Sequence, residues 1–83
     1  MSEVSNMTKI RNEKLILLFG TNVKKCRQSK GMSQVSLSDL ANINRSQIID
    51  IEAGRINTTI STANAIANAL EINISELFYK SPF

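Results

Sequence analysis

Histidine is absent from this 83-residue chain, and cysteine occurs once, as Cys26. A lone cysteine cannot close an internal disulfide, so a disulfide-stapled secreted fold is excluded. Without histidine there is no zinc site of the usual His/Cys type, and no Ser-His-Asp or Cys-His nucleophile. The longest apolar run, Leu15 to Phe19, is far too short to span a bilayer. Met1 to Thr8 lacks the basic-then-apolar pattern of a secretory signal. The expected compartment is therefore a reducing cytoplasm, with no membrane partner. The acidic residues Glu13, Asp39, Asp50, Glu52, Glu71 and Glu76 offer no pair that spacing places in a pocket. No catalytic residue, no metal, no cofactor and no small-molecule ligand is expected, and the chain does not read as an enzyme.

What is present fits one small globular domain. Hydrophobic residues make up 42% and charged residues 20%, enough for a core and too little charge for wholesale disorder. A chain of this length buries only about 60% of the surface it exposes unfolded. The net charge is +3, unevenly spread. Residues 1–30 carry Lys9, Arg11, Lys14, Lys24, Lys25, Arg27 and Lys30 against Glu3 and Glu13, while residues 31–83 are net acidic. A basic first third suits a polyanion, although a solvated helix face accounts for it equally well.

Apolar spacing is helical throughout, and the reading is an all-α, compact five-helix bundle. Leu15, Leu18, Phe19, Val23 and Cys26 mark a first helix from about Asn12 to Ser29, stopped by Gly31. Ser33 caps a second helix with Leu37, Leu40 and Ala41 on its apolar face. Asn42 tolerates a left-handed turn, and Ile43 packs behind it. Asn44 and Gln47 have capping-box spacing at the start of a third helix, which buries Ile48 and Ile51 and ends at Gly54. Thr59 caps a fourth helix with Ala63, Ile66, Ala67 and Leu70 inward. Asn73 and Glu76 box a last short turn, with Leu77 and Phe78 completing the core. Pro82 marks the end of order. Residues 1–11 read as a flexible extension, 12–79 as the domain and 80–83 as a tail.

The informative stretch is Gln34 to Gly54. Two short helices lie about three residues apart, which forces the steep crossing of a helix-turn-helix. The second begins Asn44-Arg45-Ser46-Gln47, all able to hydrogen-bond base edges or phosphates, and its apolar residues come later. An element polar at its N-terminus and apolar along one side suits the major groove of double-stranded DNA.

Residues 19 to 78 resemble the Cro/C1-type, or XRE, helix-turn-helix family. The resemblance rests on Gly31-Met32-Ser33-Gln34, Leu37, Ala41, Ile43, Arg45-Ser46, Ile48, Ile51-Glu52, Gly54, Leu70 and the closing Ile74-Ser75-Glu76-Leu77-Phe78. It implies a lambda-repressor-like DNA-binding domain. The family usually has Ala at Ser38 and Gly at Asn42, and often Pro at Thr58, Gly at Glu71 and an acidic residue at Ser36. These departures touch caps and turns.

The resemblance assigns Gln34 to a phosphate and pairs Glu52 with an arginine, for which Arg27 is the candidate. Arg45, Ser46 and Gln47 are the expected base readers, Arg45 by gripping guanine O6 and N7. For Gln47, local capping of Asn44 is the alternative. Ser33, Gln34, Asn44, Arg55 and Asn57 are expected at the DNA backbone. Asp50 repels phosphate unless it reads a cytosine amino group or pairs with a neighbouring arginine. Cys26 reads as a buried core residue.

One such helix reads only a few base pairs, so the family implies a homodimer on a pseudo-palindromic operator. Ile72, Ile74, Leu77, Phe78 and Tyr79 are the expected interface, with Phe83 beside them, since aromatics are enriched at interfaces. The alternative is that Phe78 fills the monomer core. Domain size suggests regulation by concentration, as in the autoregulating controller proteins of restriction-modification systems. A phage or mobile-element repressor of the Cro or C2 kind, or an antitoxin repressing its own operon, are the alternatives. An activating member would also touch RNA polymerase.

Overall fold

The computed structural model describes residues 10–80. Pro82, Phe83 and the first nine residues of the expected extension lie outside them. Four α-helices follow in order: α1 (Glu13–Ser29), α2 (Gln34–Ala41), α3 (Arg45–Glu52) and α4 (Ile60–Ala69). The expected fifth helix is instead a 3-10 turn, Ile74–Phe78. Asn22 ties its end to α1: Nδ2 donates to the carbonyls of Leu77 (3.0 Å) and Tyr79 (2.6 Å), which at the end of a helical segment have no partner within it. No strand occurs among the described residues.

Each helix starts and stops for a local reason. Asn12, Ser33 and Thr59 accept hydrogen bonds from backbone N–H groups three residues on. Gly31 (φ +68°) and Gly54 (φ +73°) take the left-handed conformation that closes α1 and α3. Asn42 (φ 57°) does so after α2, and Glu71 (φ 59°) after α4, where the family often has glycine. The box at Asn73 forms, with Glu76 accepting from the Asn73 N–H at 3.0 Å. The one expected at Asn44 does not, because no side-chain bond caps α3. Its first turn is closed by backbone bonds alone, from Gln47 and Ile48 to the Asn44 carbonyl.

The core is a single cluster of Phe19, Val23, Cys26, Leu37, Ile48, Ile51, Ile66, Leu70 and Leu77 with small alanines between. α1 packs on α3 and the 3-10 turn, α2 on α3 and α4. Two positions depart from the expected phase. Leu15 is 43% exposed and Leu40 is 64% exposed. The buried stripe of α1 runs Ile16, Phe19, Gly20, Val23, Cys26 and Arg27, leaving Leu15 on its edge. α2 is only two turns long and packs through Leu37, Ser38 and Ala41, which leaves Leu40 outside.

Gly20 sets the spacing between α1 and α3. A Cβ there would overlap the carbonyl oxygen of Ile51. The helices approach backbone to backbone, as only glycine permits at that point.

Candidate nucleic-acid interface

The turn between α2 and α3 is held by Asn42 in the left-handed region and by Ile43 N–H donating to the Ser38 carbonyl at 2.9 Å. Ser38 is buried, and its hydroxyl is internally satisfied by the Val35 carbonyl at 2.7 Å. A small residue lets α3 approach closely at this corner.

α3 has two faces. Ile48, Ile51 and Glu52 are buried. At 100° per residue, Ser46 and Asp50 fall on the opposite side. Asn44, Arg45 and Ser46 are exposed, while Gln47 and Ile49 are half-buried at the margins. Among the described residues Arg45 makes no ion pair. The positive end of the helix and a free guanidinium therefore point outward together, an arrangement that favours an anionic partner.

Behind this face lies a buried ion pair. Arg27 Nε and Nη2 donate to Glu52 Oε2 and Oε1 at 2.7 and 3.0 Å, and Nη1 donates to the Met32 carbonyl at 2.7 Å. Gln34 Nε2 donates to the same Glu52 oxygen at 3.1 Å. Glu52 thus joins the middle of the fold to the start of α2 and fixes the amide of Gln34.

The flank after α3 is also ordered. Arg55 N–H donates to the Asp50 carbonyl at 2.9 Å, and Arg55 Nε donates to Asp50 Oδ1 at 3.0 Å. Arg11 pairs with Glu13 at 2.7 Å and donates through Nη2 to the Arg55 carbonyl at 3.1 Å. Asn57 is exposed beside them, and Ser33 is exposed at the start of α2, where its oxygen caps the helix. Asp50 therefore takes the second of its two expected fates in the free protein.

At the other end, Ile72 and Ile74 are half-buried, Phe78 is 39% exposed and Tyr79 is 60% exposed. Leu77 is completely buried, so its side chain has no surface to offer a partner copy. Consecutive residues of a short turn cannot both face inward; Leu77 takes the core, and Phe78 lies against Phe19 with ring centroids 5.2 Å apart. Phe78, Ile74, Leu15, Ile56 and Ile60 line an apolar groove of about 430 Å³. Within it the Thr58 hydroxyl is buried with no hydrogen-bond partner among the described residues.

Sequence reasoning missed Gly20 and Asn22, which position these surfaces. A glycine inside a helix reads only as a weak point, and an asparagine on an apolar face only as an interruption. Gly20 does fall on the stripe shared with Ile16 and Val23, which is the one available signal.

A short tight turn, a helix with an outward polar start and a buried brace behind it define a helix-turn-helix DNA-binding fold. A helix-turn-helix family model matches residues 23–77, and the chain belongs to that family, the XRE-type helix-turn-helix proteins. It is 40% identical over 61 residues to an immunity repressor protein of Bacillus phage phi105, covering 74% of this chain and 42% of that protein. It is 34% identical over 56 residues to YonR, an uncharacterized, SPbeta prophage-derived helix-turn-helix regulator of Bacillus subtilis, covering 68% and 52%. The chain thus spans about half or less of the length of these relatives. The fold is also similar to the restriction-modification controller protein C.AhdI from Aeromonas hydrophila, with a TM-score of 0.74 and 33% identity over 76% of this chain and 96% of that one. No helix among the described residues is long and apolar enough to cross a membrane.

Proposed function

We propose that this chain is a sequence-specific, homodimeric operator-binding protein in the cytoplasm that regulates its own transcription, in the manner of a controller protein. The observation that carries the DNA-reading role is the outward start of α3, where Arg45 and Ser46 are exposed and Arg45 has no ion-pair partner among the described residues. Arg45, Ser46 and Gln47 read base edges. Ser33, Gln34, Asn44, Arg55 and Asn57 hold the backbone on either side, and residues 12–79 form the reading domain, with 1–11 and 80–83 flanking it. Two copies place their α3 helices in successive major grooves about 34 Å apart.

The dimer reading is supported by the exposed Phe78 and Tyr79 and by the groove of Ile56, Ile60 and Ile74 beside them. Such an apolar patch on so small a domain suits a second copy. The controller assignment draws on the similarity to C.AhdI, of which this chain covers 96%. A phage-repressor role is the second reading, favoured by the 40% identity to the phi105 immunity repressor. RNA polymerase becomes a partner if the site lies where an activator acts.

Fluorescence anisotropy on the DNA upstream of the chain's own gene, across a salt series with excess competitor, tests the proposal. Tight binding that survives competitor and saturates at two chains per site is expected. Binding that vanishes with modest salt and shows no sequence preference would leave only the electrostatic component and overturn it. Specific binding elsewhere, with none upstream, would remove autoregulation and favour the phage-repressor reading.

A further inference from the structure

The Asp50–Arg55 pair sits where an acidic residue is least welcome. Asp50 lies one helical turn beyond Ser46, on the outward face of α3. Its side chain is 42% exposed and that of Arg55 61%. Arg55 is bound to Asp50 twice, through its own N–H and through Nε, just past the left-handed Gly54. The Arg55 carbonyl is gripped in turn by Arg11 at 3.1 Å. The loop is therefore anchored by its backbone, and the Arg55 guanidinium can swing away without the turn unravelling.

We infer that Asp50 is a specificity-determining residue, which lets Arg55 turn to a phosphate at low cost only where a cytosine amino group replaces it. This inference rests on the DNA-reading role proposed above for α3. A phosphate that recruits Arg55 strips the carboxylate of its partner. On a random duplex the stranded charge then faces acceptor atoms and phosphates with nothing to neutralise it. On a site presenting cytosine at that step, the N4 amino group donates to Asp50, and Arg55 is released at little cost. The pair thus acts mainly against wrong sequences, which is discrimination by repulsion as well as by attraction.

The test is a comparison of wild type with Asp50→Asn, which removes the charge and nearly keeps the shape. Operators are first selected from a randomised duplex pool with the wild-type chain. Affinities of both proteins are then measured on the selected operator, on that operator with each base pair substituted, and on random duplex, at several salt concentrations. For Asp50→Asn, binding to random duplex is expected to tighten. The operator-to-random ratio is expected to fall roughly tenfold or more, and a cytosine preference at one position per half-site is expected to disappear. Equal changes on operator and random duplex, with every base preference intact, would reduce Asp50 to general charge and overturn the inference. No change on either would do the same. A wild-type chain that selects no operator at all would remove the DNA-reading proposal itself, a different failure that is visible before the variant is made.

Discussion

Two arginines show how surroundings divide one residue type between roles. Arg27 spends its guanidinium on Glu52 and the Met32 carbonyl, buried behind α3. Arg45 stands at the start of that helix, exposed and without an ionic partner among the described residues. Arg45→Ala is therefore expected to lower specific DNA affinity by roughly 1–3 kcal/mol and leave the circular dichroism spectrum and thermal midpoint unchanged. Unaltered operator binding would remove Arg45 from the interface. Cys26 makes a second residue-scale expectation. Burial raises its thiol pKa from the ordinary 9.0, with Lys30 opposing and Glu76 adding to the effect. The unfolded chain, with its ordinary thiol, loses that proton first. The contribution to stability is complete below about pH 9 and shrinks as pH climbs through and above it. Urea midpoints measured between about pH 8 and pH 10 should fall in wild type, and the fall should be shallower in Cys26→Ala.

At the scale of elements, the contact between α1 and α3 decides where α3 points. Gly20→Ala would force the two backbones apart at Ile51. A loss of about 1–3 kcal/mol is expected, read as a drop in the urea midpoint, because a core this small has little room to yield. Glu71 offers the opposite case. It adopts φ 59° without being glycine, at the close of α4. Glu71→Gly should raise stability by up to about 1 kcal/mol, since relief of the left-handed strain exceeds the added freedom of the unfolded chain. An unchanged or lowered thermal midpoint would count against strain there. The same elements mark what was legible beforehand. The caps at Ser33 and Thr59, the box at Asn73, the glycine stops and the left-handed Asn42 were readable because they depend on neighbours in the chain, whereas the box expected at Asn44 does not form. The Arg27–Glu52 pair was readable through the family resemblance. Leu15, Leu40 and Phe78 are more exposed than expected, while Leu77 takes the core position expected of it, because spacing names a helical stripe but not which edge its neighbours cover. Gly20 and Asn22 act on residues 31 and 55 or more positions away, and no local pattern carries that information.

For the whole molecule, the expected second copy has a surface that can be tested without touching the core. Ile60 is 84% exposed at the lip of the apolar groove. Ile60→Glu should leave the monomer folded while shifting sedimentation equilibrium from dimer toward monomer at a given concentration. Operator binding should weaken with it, since a single domain reads too few base pairs. A variant that stayed fully dimeric would place the interface elsewhere on the chain.

The division of α3 into a braced inner face and a free outer one also bears on how such a protein changes. Ile48, Ile51 and Glu52 hold the helix in place, while Asn44, Arg45, Ser46 and Asp50 take no part in the core. Replacements at the outer positions should therefore leave folding nearly intact, because surface changes away from core contacts usually fall within about half a kcal/mol. Recognition can drift, or be redesigned from a library at those positions, on a scaffold that does not have to be re-evolved each time the target sequence changes.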